Sequence, residues 1–286
     1  MVGLQASGKT TFAAALWHLV DSREVPTALK KGRHEGDFKY LEEIAATWAE
    51  GYTQGRTHSE TAEEIRINLL HEGSATEICL QFSDIAGESY EAVFATRQCG
   101  EEFLSLVNRA EGILLFVSAQ RKADDTTLLD AAQVMSSATE SPASEADSEV
   151  EAQPDWDPAK TPQQMQLVDL LTSFRSHPFH KSTRKVAVVI SAWDLSRTAD
   201  PTKWLKDKMP LLHQYLTAAE NGYGWTVYGV SAQGGELNGR DAAREGKDRA
   251  KLLGLPTASE RIRVVGGDGL PHDLTQPILW LSGLAG

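Results

Sequence analysis

Apolar and polar positions alternate along the chain with two periods, and the periods sort it into elements. Thr11–Val20 (TFAAALWHLV) sets Phe12, Leu16 and Leu19/Val20 at i, i+4 and i+7/8, which predicts a helix with one buried face. Residues 21–63 are polar, with a helical stretch at Phe38–Ala49 and then the loop GYTQGRTHSET. Ile65, Ile67 and Leu69, then Ile78, Leu80 and Phe82, alternate with period two, predicting two strands with Gly73 in the turn. Residues 88–110 read as helical. ILLFVS (113–118) and KVAVVISAWD (185–194) are continuous apolar runs, as expected of parallel strands covered on both faces. WTVYGVS (225–231) reads as a further strand, with helices at 161–176 and 201–220 around these runs. The tail predicts a hairpin in RIRVVGGDG and a last helix over Gln276–Leu284. Strands alternating with helices predict one α/β domain over residues 1–286, a mostly parallel sheet between two helical layers with right-handed crossovers.

Composition alters this picture in one place. Residues 123–159 hold Asp124, Asp125, Asp130, Glu140, Glu145, Asp147, Glu149, Glu151, Asp155 and Asp157 and no Lys or Arg, most of the chain's net charge of -12. Such a stretch buries too little apolar surface to offset its ordering entropy, so it reads as a disordered acidic insertion. It is no domain boundary, because strands that must share a sheet flank it. A pI near 5.2 argues against a general nucleic-acid or anionic-membrane binder. The two cysteines, Cys79 and Cys99, form no disulfide framework, which fits a reducing cytoplasm. Cys79 lies in an apolar run and reads as a small buried side chain. The longest apolar runs are about half the roughly 20 residues of a membrane helix, so no transmembrane segment is expected.

The candidate chemistry begins at the first residues. MVGLQASGKT contains Gly3, four residues, then Gly8-Lys9-Thr10, ahead of the predicted helix. Glycines let a backbone wrap phosphates, and the N–H groups of Gln5, Ala6, Ser7, Gly8, Lys9, Thr10 and Thr11 at a helix N-terminus attract the anion. Lys9 would reach the β- and γ-phosphates, and the Thr10 hydroxyl would bind Mg²⁺. LQFSDIAGE (80–88) ends a strand in Asp84-x-x-Gly87, an acid at the rim where α/β sheets bind ligands. There Asp84 could hold the Mg²⁺, and Gly87 could offer its N–H to a γ-phosphate. Asp194 ends another buried strand, where a carboxylate can accept the N1–H and N2–H₂ donors of guanine. Ser231 and Ala232 end the next, where backbone N–H groups can meet guanine O6.

G-x-x-x-x-G-K-T, D-x-x-G, the strand-end Asp194 and Ser231-Ala232, in that order, resemble the motif series of Ras-like P-loop GTPases of the TRAFAC type. The DIAGE form and the long segment before the second strand are similar to bacterial double-GTPase-like proteins. The resemblance covers most of residues 3–232 and implies a P-loop NTPase fold, bound GTP or GDP with Mg²⁺, and hydrolysis of the γ-phosphate. The chain departs from the family pattern in three places. The base-reading Asn/Thr-Lys-x-Asp is Ser191-Ala192-Trp193-Asp194 here, so the lysine that stacks on the base is missing. The water-orienting Gln after D-x-x-G is Glu88, which a γ-phosphate repels but which could accept a proton from water; slow turnover is the expectation. For the metal-binding threonine of the first switch, Thr53, Thr57 and Thr61 are available, and Arg56-Thr57 is the choice. Arg56 or Arg97 could act as an arginine finger in cis.

Only Met1 and Val2 precede the loop, whereas the family's strand there lies mid-sheet. Such a strand buries about three large apolar side chains at roughly 1.5–3 kcal/mol each. The expectation is that roughly 5–15 residues, including a short apolar strand, precede Met1 in the natural protein, or that another strand such as RIRVV fills the gap. The leading functional expectation is a slow GTP-hydrolysing switch, with a protein partner at 88–110 or the acidic insertion. A non-hydrolysing nucleotide-binding scaffold and a P-loop ATPase are the alternatives.

Overall fold

A computed structural model describes residues 1–33, 38–53, 64–83, 88–120, 158, 161–179, 184–239, 246–267 and 269–284; the side chains of residues 64, 82, 83, 88 and 89 are not described. The elements run α1 (Lys9–Ser22), β1 (Lys30–Lys31), α2 (Lys39–Ala49), β2 (Glu64–His71), β3 (Thr76–Ser83), α3 (Glu88–Thr96), α4 (Glu101–Arg109) and β4 (Gly112–Ser118). Then follow α5 (Gln163–Ser173), β5 (Lys185–Ser191), α6 (Pro201–Lys208), α7 (Pro210–Thr217), β6 (Gly224–Ser231), α8 (Arg249–Leu253), β7 (Arg263–Val265) and α9 (Gln276–Ser282).

The fold is α/β. β4, β5 and β6 are parallel neighbours and β7 pairs antiparallel with β6, while β1, β2 and β3 form an antiparallel group. Met1 and Val2 lie between the two groups. The Met1 amine donates to Gln81 O at 2.7 Å, Val2 N to Leu114 O at 2.8 Å, and Phe116 N to Val2 O at 2.8 Å. The two residues therefore take the mid-sheet place expected of the strand before the loop. RIRVV does not fill that place. Its residues 263–265 sit at the far edge on β6, with Val264 opposite Val230.

Alternate residues of the parallel strands feed two cores. Leu114, Phe116, Ala187, Val189 and Val230 face α1, α2 and α9. Ile113, Leu115, Val117, Val186, Val188 and Ile190 face the layer that includes α5, α6 and α7. In β5, Val186, Val188, Val189 and Ile190 are all fully buried. Those four contribute on the order of 6–12 kcal/mol of burial before entropy is set against it. At the base of β5, buried Arg184 donates to Ala110 O, Phe174 O and Val107 O at 2.9, 2.9 and 3.0 Å. A cation there serves carbonyls at the C-terminal ends of α4 and α5.

Several expectations change on folding. α1 is buried nearly all round, including Ala13, Ala14 and Ala15, because α2 covers the side that the sheet does not. The 88–110 helix breaks between Thr96 and Glu101, where Arg97 adopts a left-handed φ of 59°. The 201–220 helix breaks at Met209 (φ −134°, ψ 61°), since the residue before Pro210 is pushed out of the helical region. β5 stops at Ser191, three residues short of Asp194. Of RIRVVGGDG, Arg263–Val265 form an edge strand on β6, and the chain then turns back so that Val264 N donates to Pro271 O at 2.7 Å. Cys79 is exposed rather than buried: it falls on the face of β3 opposite Leu80. The acidic stretch 123–159 lies outside the described residues except Pro158.

Candidate functional site

The strand register sets the rim. Ser118 of β4 pairs with Ser191 of β5, and Ser191 with Val230 of β6, so the parallel strands end level. Val2 bridges to Leu115 in the same direction, and the loop that follows it emerges at the same end. Ligands of open α/β sheets bind outside these carboxyl ends.

The loop Gly3–Thr10 is a tight curl. Ala6 has φ 57°, and Gly8 has φ 91° immediately before α1, whose first turn is closed by Phe12 N to Gly8 O at 3.0 Å. A Cβ on Gly3 would lie 2.7 Å from Ser7 Oγ, and one on Gly8 would lie 2.8 Å from Ser191 Cβ and Oγ. The second contact seats the curl against the end of β5. Lys9 is 8% exposed. Its Nζ donates to Gly3 O (2.6 Å), Leu4 O (2.9 Å) and Ser7 Oγ (3.3 Å), which holds the ammonium inside the loop. Gln5 and Ala6 are exposed, Ser7 is buried, and Thr10 and Thr11 are half-buried at the helix start. From α3, Glu91 accepts the Gln5 N–H at 3.3 Å, and buried Tyr90 donates to Met1 O at 3.0 Å.

On the other side of Ser191, Ala192 takes a left-handed φ of 51° and starts the turn Trp193–Leu195. That turn buries Trp193 and exposes Asp194. The Ser231 hydroxyl donates to Asp194 Oδ1 and accepts Gly234 N–H at 3.2 Å. Asp194, Ser231 and Ala232 are thus one constellation, separated from the loop by Ser191.

A protein-family model described as Double-GTPase 1 matches residues 1–281. The chain belongs to that family. No curated protein matches it. Membership of the Double-GTPase 1 family makes this a GTP-binding protein and indicates GTPase activity in general terms.

Of the residues that the sequence singled out in this Double-GTPase 1 chain, the structure brings together Gln5 to Thr11 at one end of the rim and Asp194, Ser231 and Ala232 at the other. Asp84, Gly87, Arg56, Thr57 and Thr61 lie outside the described residues; Glu88 starts α3, but its side chain is not described. Thr53 bonds through its N–H to Asn238 O at 3.3 Å. Arg97 pairs with Asp169 and lies 5.0 Å from the Phe94 ring, tying α3 to α5 as a surface arginine. No group of three or more metal-ligating His, Cys, Asp or Glu side chains forms among the described residues. Among the described residues, the Thr10 hydroxyl at the start of α1, just past the Gly3–Gly8 curl, is an oxygen donor of the kind that fits a nucleotide-bound Mg²⁺.

Burial, then the nearby Lys9 charge, pull the Met1 amine down to about 5, with Cys79 opposing. Sequence reasoning missed Glu91 and two arginines of the C-terminal segment. Arg261 is buried with its guanidinium 4.3 Å from the Trp48 ring. It donates to Trp48 O and Ala49 O at 2.9 and 3.2 Å, and burial pulls its pKa below the usual arginine value. Arg249 lies 4.8 Å from the Tyr52 ring and donates to Gly51 O at 3.3 Å. Nothing local in the sequence marks these residues; their partners lie 86 to 213 positions away.

Proposed function

We propose that this protein is a Mg²⁺-dependent GTP switch that hydrolyses GTP slowly in the cytoplasm. One observation carries the reading: Gly8 of the loop rests on Ser191, and the Asp194–Ser231 pair stands on the other side of that residue. A triphosphate in the loop would put its base beside that pair.

In this reading the N–H groups of Gln5 to Thr11 hold the phosphates, and Lys9 neutralises charge between the β- and γ-phosphates. Thr10, Asp84 and Thr57 would hold Mg²⁺, which would supply charge neutralisation to the phosphates. Asp194 accepts the two guanine donors, and the N–H groups at Ser231 and Ala232 meet O6. Water attacks the γ-phosphate while Glu88 accepts its proton, a contribution of roughly 10²–10⁴-fold for a placed base. Gly87 contacts the γ-phosphate, and α3 and α4 carry the nucleotide state to a protein partner.

Multiple-turnover phosphate release with GTP, with ATP as competitor, tests this reading. Slow release that ATP does not suppress is expected. Binding without release would leave a scaffold, and equal affinity for ATP would remove the role given to Asp194. Glu88→Gln is expected to lower the rate at least tenfold; a faster variant would show that the carboxylate only repels the γ-phosphate.

A further inference from the structure

We propose that Trp48, on α2, is a positioning residue for guanine recognition. This rests on the reading of Ser231-Ala232 as the guanine O6 contact. The Trp48 indole Nε1–H donates to Ala232 O at 3.0 Å, across 184 residues of sequence, and the bond is buried. Trp48 is itself immobilised. It is 1% exposed, its ring centroid lies 5.1 Å from that of His18, and the Arg261 guanidinium sits 4.3 Å from it. Arg261 also holds the Trp48 carbonyl, so backbone and ring are fixed by one residue.

The consequence follows from peptide geometry. In a trans peptide, C=O and N–H point in opposite directions. Pinning Ala232 O toward α2 therefore turns the Gln233 N–H away from α2, and it fixes the torsion that relates this peptide to the Ala232 N–H. Ser231 is already held by Asp194 and Gly234. The Trp48 bond supplies the second anchor of the turn, on the side of Ala232 that Asp194 does not reach. Recognition of O6 by backbone N–H groups depends on where they are held rather than on side-chain chemistry, so a fixed donor at position 48 sets selectivity without touching the nucleotide. The lysine that would stack on the base is Ala192 here, which leaves more of the discrimination to the edge contacts that Trp48 supports.

The test uses two nucleotide pairs. 6-Thio-GTP differs from GTP only at the atom facing Ala232; ITP lacks only the 2-amino group facing Asp194. Kd values for all three are measured on the wild type and on Trp48→Phe, which keeps a ring beneath Arg261 and removes the N–H. The expected result is a ~3–10-fold narrowing of the GTP to 6-thio-GTP ratio, the effect of about one hydrogen bond, with the GTP to ITP ratio unchanged. Equal weakening toward all three nucleotides would mean that Trp48 only stabilises the fold and would overturn the proposal. A wild type that does not distinguish GTP from 6-thio-GTP would instead remove the O6 reading, and this inference with it. If Trp48→Phe does not fold, β-(3-benzothienyl)alanine at position 48, equal in size but without the N–H, is measured with the same ratios.

Discussion

The two ends of the rim are built by opposite means. The phosphate end is one continuous segment, Gly3–Thr10, whose shape comes from backbone torsions at Ala6 and Gly8 and whose cation folds onto carbonyls within six residues of it. The base end gathers Asp194, Ser231, Ala232, Trp48 and Arg261 from four distant parts of the chain, and buried side chains hold it. A phosphate needs a curved run of N–H groups and a positive charge, which a short peptide can provide. A base edge needs donors at fixed points in space, which only packed elements can supply. Substitutions at the phosphate end should therefore change binding more than stability, whereas those that support the base end should change stability first and binding with it.

Lys9→Ala is the sharpest test of that division. GTP affinity should fall by about 100-fold or more, since charge-assisted bonds contribute roughly 1.5–3 kcal/mol each. The urea midpoint without nucleotide should fall too, because the ammonium also holds Gly3 O and Leu4 O inside the loop, but by less than for Arg261→Met; isothermal calorimetry and chemical unfolding give both. Arg261→Met should do the reverse first. It removes the guanidinium donor from Trp48 O, Ala49 O and Ala258 O, and the loss should be about 2–3 kcal/mol in unfolding free energy, with weaker GTP binding as a consequence. A stable Arg261→Met protein with unchanged GTP affinity would break the comparison. Asp194→Asn keeps an acceptor for Ser231 but presents an amide to the base. Preference should move from GTP toward XTP by about tenfold, read by competition, without a change in melting temperature.

The smallest effect concerns Glu24, which links α1 to the turn before β7. Burial alone would raise its pKa, but hydrogen bonds from Ser259 and the nearby His18 outweigh burial, so its folded pKa is below the ordinary 4.5. A depressed carboxylate pKa adds stability above the unfolded value and loses it as pH falls through the folded one. Glu24→Gln should therefore cost ~0.5 kcal/mol at pH 7, a value discounted for solvent screening. The melting-temperature gap to wild type should close as the pH drops below about 4. A gap independent of pH would assign the effect to packing.

The sequence by itself determined the phosphate loop, the apolar strand cores and the alternating layers, because each is written in neighbouring residues: Gly3 to Thr10 in eight positions, ILLFVS and VAVVIS in continuous runs, and β2 and β3 in period two. It also carried Asp194 and Ser231 as strand-end residues, but not their contact. Where local rules competed, the tertiary structure decided. Pro210 split a helix that periodicity had drawn as one, and β7 took the free edge of β6. Only the tertiary structure could show that Met1 and Val2 occupy the middle of the sheet, or that Trp48 and Arg261 brace the base end. Those contacts join residues 80 to 213 positions apart, and a bond across such a separation depends on how whole layers pack, which no local pattern records.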